Sequence, residues 1–225
     1  MPRGRAPGYD IQREQILGCA AELFAQQGYT ATSMNQVAQA CGVSKPSLYH
    51  YVRDKYQLLV EIAEGHVTQL KRLATPPPRT LQEPQEPQAR LRELIGSFLG
   101  AYAGSRAAHR VLTEDVKFLD PADRERVLGH QREVVEAFAD AIGAVRPELR
   151  SADLHKTLTM LLFGMMNWMF TWLQPGGRLT HAAMAPVVAD LFLGGLNAVR
   201  VADSLRALPA LPARNPAKTP LKRRA

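Results

Sequence analysis

The segment from Ser33 to Lys55, SMNQVAQACGVSKPSLYHYVRDK, admits very few structures. Ser33 followed three residues later by Gln36 is a capping-box pattern, in which each side chain satisfies a backbone donor of the other. Val37, Ala38 and Cys41 follow at helical spacing, and Gly42 stands where a left-handed residue ends a helix. Ser44 is the next N-cap, and Pro46 is tolerated behind it because first-turn amides have no partner inside the helix. Lys45-Pro46-Ser47-Leu48-Tyr49-His50-Tyr51 then offers one apolar anchor, Leu48, among side chains that donate hydrogen bonds. A helix this short is marginal alone, so a scaffold is expected to hold it with its polar face outward. That is the arrangement of a helix-turn-helix recognition helix, whose first residues reach base edges in the major groove.

The flanks supply the scaffold. Ile16, Leu17, Ala20, Leu23 and Phe24 form an apolar stripe on a preceding helix, predicted over Asp10 to Gln27 and ended by Gly28. Asp54 can cap a longer helix carrying Leu58, Leu59, Ile62 and Ala63. The order and spacing of IL-xx-A-xx-LF-xxx-GY-x-x-TS and then GVSKPSLYHYVRDK-xx-LL resemble the DNA-binding domain of the tetracycline-repressor (TetR) family. The resemblance covers about the first third of the chain. It implies a DNA-facing set of Thr32, Ser33, Ser44, Lys45, Pro46, Ser47, Tyr49, His50, Tyr51 and Lys55. Lys45 and Ser47 are expected against bases or nearby backbone, and Tyr49, His50 and Lys55 against phosphates. A plain helical bundle would explain Val37, Phe24 and Leu48 as core, but not the gathering of Lys45, Ser47, Tyr49, His50 and Lys55 on one outward face.

Net charge adds little to this reading. The chain of 225 residues carries +7, yet residues 1–75 hold +2, residues 76–205 hold −1 and residues 206–225 hold +6. The basic excess therefore lies in the last segment, 206–225, a Pro-rich stretch without hydrophobic periodicity that is expected to be disordered. Residues 1–9, with Arg3 and Arg5, are expected to form a flexible basic arm that could reach a minor groove. No apolar run follows those arginines, so no signal peptide is expected and the predicted location is cytoplasmic. Cys19 and Cys41 are expected to be core thiols, neither disulfide nor metal site.

A Pro-rich break over 76–87 separates the DNA-binding domain, 10–70 with its helix-turn-helix at 33–52, from a second domain at 88–205. Helical patterns run from Gln88 to Gly104, Ala107 to Leu119, Asp120 to Val145, Ala152 to Leu173 and Thr180 to Val201, with no strand-like alternation or repeat. The fold class is all-α. The run LTMLLFGMMNWMFTWL, Leu158 to Leu173, is shorter than the ~20 residues a bilayer requires and contains Asn167, so burial on two sides is expected in place of a membrane span.

Recognition helices of this size read DNA as dimers on two half-sites. The family resemblance implies that the last two helices pair with their mates as a four-helix bundle, with Trp172, Phe192, Leu196 and Val199 at the interface and Gly164, Gly194 and Gly195 permitting close approach. It also implies an effector pocket among the middle helices. Phe98, Tyr102, Phe138, Phe163 and Trp168 are the expected apolar lining, Asn167 and Thr171 its polar contacts, and Arg178 a phosphate partner. NWMFTWLQPGGRLT is similar to the C-terminal segment of TetR-like regulators of fatty-acid and aromatic-acid degradation, which sense acyl-CoA thioesters. The expected function is thus a repressor of catabolic genes, released from a palindromic operator by an acyl- or aryl-CoA thioester.

Two alternatives stand beside it: a TetR-like repressor of an efflux pump responding to a hydrophobic drug, and an architectural DNA-binding protein without effector. An enzyme is not expected, because the sequence has no Gly-rich phosphate loop after a strand and no Gly-x-Ser-x-Gly elbow. Its six histidines lack ligand spacing, so neither a metal nor a cofactor is expected.

Overall fold

The computed structural model describes residues 8–75, 86–173 and 176–201, without the side chain of Phe170. The expected tail at 206–225, nearly all of the basic arm and most of the Pro-rich linker lie outside these residues. Within them the secondary structure is wholly helical: α1 (Tyr9–Gln27), α2 (Met34–Ala40), α3 (Lys45–Tyr49), α4 (Lys55–Ala74), α5 (Pro87–Gly104), α6 (Arg106–Glu114), a 3-10 turn (Val116–Phe118), α7 (Pro121–Val145), α8 (Pro147–Ser151), α9 (Leu154–Trp172) and α10 (His181–Ala198).

Side chains set the ends of the first helices. Ser33 Oγ accepts from the Gln36 amide at 3.3 Å while the Ser33 amide donates to Gln36 Oε1 at 2.8 Å, closing the capping box on α2. Gly42, at φ 66°, turns the chain out of α2 in the left-handed region that side-chain-bearing residues avoid. Ser44 Oγ then caps α3 by accepting from the Ser47 amide at 3.2 Å, and the Asp54 carboxylate caps α4 by accepting from Gln57 at 2.7 Å.

Two elements depart from the sequence pattern. The helix expected over Ala107 to Leu119 stops at Glu114. The Asp115 amide still bonds to Val111 O, but Phe118 N donates back to Asp115 O at 2.9 Å, tightening the chain into the 3-10 turn. Beyond α7, where a break was expected, α8 starts on Pro147, whose missing N–H costs nothing in a first turn.

Ile16, Phe24, Val37, Leu48, Leu58 and Leu59 are the buried centre of α1–α4. The core continues from them without interruption to α10. Helix α4 packs along α7, α7 along α9, and α10 against α5. That last contact corrects one expectation. Phe192 and Leu196 are buried in the chain's own core at 7% and 2% exposure and are not at an outer face. An α10 apolar nearly all round has no period to say which side goes in.

The outer faces of α9 and α10 carry other apolar residues. Leu161 (60%), Trp168 (67%) and Trp172 (45%) are exposed on α9, with Val187 and Leu191 on α10. A Cβ added to Gly164, Gly194 or Gly195 would meet nothing within 4 Å, so backbone is bare along the same stripes. Among the described residues no helix is long and apolar enough to cross a membrane.

Candidate functional site

The first candidate surface is built by α2, the Gly42 turn and α3. Leu48 and Val37, both fully buried, pin α3 and α2 to α1 and α4. With Leu48 inward, Ser44, Lys45, Pro46, Tyr49 and His50 are exposed and Ser47 is half-buried. Ser33 is exposed as well, at the N-terminus of α2. These side chains share one outward ridge, and no described residue seals it.

Three of the expected DNA-facing residues are otherwise engaged. Thr32 is 2% exposed; its hydroxyl donates to Gly28 O at 2.9 Å and accepts from Gln27 Nε2 at 3.0 Å. Tyr51 is half-buried and stacks on Tyr9, ring centroids 4.9 Å apart. Lys55, expected against a phosphate, points inward. Its ammonium donates to Tyr29 O at 2.9 Å, Thr30 O at 3.2 Å and Thr32 O at 2.8 Å, and lies 4.5 Å from the Tyr29 ring centroid. An ammonium has three donors, and all three are spent on the loop between α1 and α2.

That loop leads toward the second domain. The Tyr29 ring lies 5.5 Å from Phe118 in the 3-10 turn. Tyr56, in the first turn of α4, donates to Asp123 Oδ2 at 2.6 Å and accepts from the Asp120 amide at 2.9 Å. Burial and the Asp123 hydrogen bond push its hydroxyl up to about 12, while the same bond holds the Asp123 carboxyl below the usual carboxylate range. Arg126 joins Asp123 to Glu64. Sequence reading missed these contacts because partners some sixty residues apart leave no local pattern.

The second candidate site is a cavity of about 190 Å³ between α4, α5, α6, α7 and α9. Its apolar wall includes Val67, Leu70, Phe98, Leu112, Val134 and Phe163. Tyr102, His109, Thr113, Gln131 and Asn167 are its polar groups. His109 Nδ1 lies 3.2 Å from His66 Nε2 on α4, and the His109 ring stacks on Tyr102 at 3.7 Å. Burial pushes His66 down to about 4; burial and the charges of His66 and His181 push His109 down to about 3. Both rings are therefore neutral at pH 7, and no charged side chain lines the cavity. Asn167 Oδ1 is buried there without a partner among the described residues.

A shallow depression of about 300 Å³ shares Gln131, Val135 and the 58%-exposed Met160 with the cavity and adds Leu128, Arg132 and Glu136. Arg132 pairs with Glu125, and Lys156 with Glu136. Of the expected effector residues, Phe98, Tyr102, Phe163 and Asn167 come together at the cavity, and Phe138 packs behind them on Phe98 and Phe163. Trp168, Thr171 and Arg178 do not. Trp168 lies on the outer face of α9, Thr171 donates to Trp168 O at 2.7 Å, and Arg178 is exposed in the turn beyond. Asn167 and Trp168 are neighbours in sequence but about 100° apart around the helix, which separates inside from outside. Of the expected interface residues, Trp172 is on the outer stripe and Val199 is half-buried at the end of α10. Among the described residues, no three of His, Cys, Asp and Glu are grouped to hold a metal ion.

A helix-turn-helix head joined by α4 to a helical body with an internal cavity defines a DNA-binding regulator with a ligand domain. Residues 16–62 match the family model for bacterial regulatory proteins of the tetR family, and residues 84–196 match that for a tetracyclin repressor-like C-terminal domain. The chain belongs to the tetracycline-repressor family of transcriptional regulators. A TetR-family regulator from Bordetella parapertussis 12822 superposes with a TM-score of 0.73 at 34% identity, covering 84% of this chain and 98% of that one. The transcriptional repressor KstR2 of Rhodococcus jostii is 26% identical over 87% of this chain and 96% of its own length. The transcriptional activator FasR of Mycolicibacterium smegmatis is 29% identical over 62% of this chain, which spans 61% of that protein. AibR, solved with isovaleryl coenzyme A and operator DNA, shares the fold at a TM-score of 0.66 and 23% identity, over 80% of this chain and 97% of that one.

Proposed function

We propose that the chain is a dimeric repressor that leaves a palindromic operator when the acyl or aryl group of a CoA thioester enters the α4–α9 cavity. The observation that carries the effector class is a cavity with no charged side chain, beside a depression where charged groups, Arg132 and Glu136, first appear. At ~30 Å³ per water-sized group, about 190 Å³ houses a short acyl chain or one ring but not a nucleotide. The CoA moiety must then lie outside, where Arg132 lines the depression and Lys156 pairs with its Glu136. Arg132 replaces Arg178 as the candidate phosphate partner, since Arg178 lines neither the cavity nor the depression beside it.

The same chemistry argues against the alternatives. A free carboxylate would lose its hydration with no cation inside to replace it, and a cationic drug would find no carboxylate there. An architectural protein has no use for such a cavity. The relatives support the reading as analogues: KstR2 is a repressor, and AibR was solved with isovaleryl coenzyme A and operator DNA. Acting on DNA, the regulator belongs in the cytoplasm.

Lys45 and Ser47 are the proposed base-side contacts, with Tyr49, His50, Ser33 and Ser44 on the flanking backbone. The exposed stripe of Leu161, Trp168, Trp172 and Leu191 is the proposed dimer face. A gel-shift titration with CoA thioesters, their free acids and cationic drugs tests the effector. Release by thioesters alone is the expected outcome; release by free acids or drugs with thioesters inert overturns it. On the DNA side, Lys45→Ala should cost about 1–3 kcal/mol and relax specificity, while Tyr49→Phe should weaken all duplexes alike. Unchanged affinity in both variants would sink the contact assignment.

A further inference from the structure

The chain's two cysteines are brought together by the packing of α2 on α1. Cys19 is on α1, and Cys41 is the residue that ends α2. Cys19 Sγ lies 3.7 Å from the carbonyl oxygen of Ala40, the residue preceding Cys41, which makes the two cysteine side chains neighbours. Both residues are half-buried, open enough for a small oxidant to arrive. Cys41 also stands at the hinge of the helix-turn-helix. Its neighbour Gly42 adopts φ 66°, and the Val43 amide closes the turn onto Ala38 O at 3.0 Å. The course of the chain from α2 into α3 therefore depends on where Cys41 sits.

We infer that Cys19 and Cys41 are an oxidisable pair that closes to a disulfide under peroxide and lowers the affinity of the head for DNA. Burial and the neighbouring Cys19 hold the Cys41 thiol above its usual range, so Cys41 keeps its proton and the first attack is assigned to Cys19. Cys19 thiolate attacks one peroxide oxygen and the O–O bond breaks, giving a sulfenic acid and, with one proton, water. The Cys41 sulfur then attacks the Cys19 sulfur. The S–S bond forms, the S–O bond breaks, and the departing hydroxyl takes up the Cys41 proton as a second water. Two thiols lose two electrons and one peroxide gains them.

Closure has a mechanical consequence. A disulfide needs its sulfurs at covalent distance, ~2.05 Å, closer than two unbonded thiols can lie. The end of α2 must move toward α1, and α3 follows through the Gly42 turn. Losing a well-placed base contact suffices for a tenfold loss of affinity, about 1.4 kcal/mol, and that loss is expected.

The affinity part of this inference rests on the DNA-binding reading, and the covalent part does not. The full chain, reduced, is used to select duplexes from a randomised pool, then treated with hydrogen peroxide. Intact mass, free thiols and duplex affinity are read on the same sample. The expected product is a single chain about 2 Da lighter, the two hydrogens of disulfide formation. It should have no free thiol and at least tenfold weaker binding, restored by dithiothreitol. Cys19→Ser and Cys41→Ser should each bind as the reduced protein does and keep that affinity under peroxide. Thiols that survive, that gain oxygen separately, or that cross-link two chains overturn the pair. A disulfide that leaves affinity unchanged overturns its effect on DNA. Should the reduced protein select no duplex, the DNA-binding reading fails with the affinity half, while mass and thiol count still decide whether the pair closes.

Discussion

The head and the body of this molecule are both built only of helices, but their helices are held in different ways. In the head, α2, α3 and α4 each begin on a side chain that accepts a backbone hydrogen bond, Ser33, Ser44 and Asp54. In the body, α5, α6, α7, α8 and α9 begin without one, and only α10 has such a cap, from Thr180. Helices α2 and α3, of 7 and 5 residues, have little to bury, so caps worth ~1 kcal/mol each weigh heavily in them, whereas the 19-residue α1 starts without one. Longer body helices draw their stability from packed faces such as Phe98 on Phe138, centroids 4.7 Å apart. The short helices of the head are started by local caps, and the body is held by partners distant in sequence.

The largest expected effect tests that contrast on one helix. Leu196→Arg places a charge where the side chain is 2% exposed, and burying it unpaired should cost roughly 3–5 kcal/mol or more and unfold the chain. Leu191→Arg changes a residue 65% exposed in the single chain, so it should leave each protomer folded while splitting the dimer. Thermal melting and sedimentation velocity on both variants separate the cases. Equal melting losses would mean that the inner and outer faces of α10 have been assigned wrongly.

Lys55→Met comes next. The ammonium serves three carbonyls of the α1–α2 loop, and losing hydrogen bonds to a charged group should cost roughly 1.5–3 kcal/mol in a urea melt. If Lys55 instead held a phosphate, the slope of log affinity against log salt would shrink by about 1. A smaller salt slope with unchanged stability would restore the phosphate reading.

Acid sharpens the comparison from the body's side. His66 and His109 have folded values near 4 and 3, below the ordinary 6.5 of an unfolded histidine. Between those limits the unfolded chain binds more protons, so stability is complete above about pH 6.5 and falls as pH drops toward 4. A loss on the order of 2 kcal/mol for each histidine, about 4 for the pair, is expected by pH 5. His66→Gln should flatten that slope in urea melts. A wild-type stability level from pH 7 to pH 5 would show that the pair is not held neutral.

How much of this was legible in the sequence follows the same division. The capping box, the Gly28 and Gly42 stops and the inward Leu48 were readable because each signal lies within four residues of its effect. Lys55 was not, since its outward-looking position in the motif says nothing of the carbonyls of Tyr29, Thr30 and Thr32 that take its protons. The body's helices were found, but their rotation was not. Periodicity assigns an inner face only when the outer one is polar, and α9 and α10 are apolar on both. Phe192 and Trp168 were thus given each other's side of the wall. Phe98 and Tyr102 of the cavity's aromatic floor were reachable because α5 is amphipathic, whereas Arg132 beside the cavity has the look of any solvated helix residue.

The smallest expected effect compares the two faces of α9 directly. Asn167 lines the cavity with a buried Oδ1 that no described group satisfies, while Thr171, one turn on, is exposed and already donates to Trp168 O. An orphan acceptor in a cavity is a place for a ligand donor, and one such hydrogen bond is worth about 0.5–1.5 kcal/mol net. Asn167→Leu should therefore weaken the effector about two- to tenfold. Its melting temperature should hold or rise, because the unsatisfied carbonyl is gone. Thr171→Val should change neither quantity, having removed only a bond within its own helix. Isothermal titration with the effector found in the gel-shift panel, beside melts of both variants, measures the two together. An Asn167→Leu protein that binds the effector unchanged while Thr171→Val loses it would move the binding face of α9 from the cavity to the outer stripe.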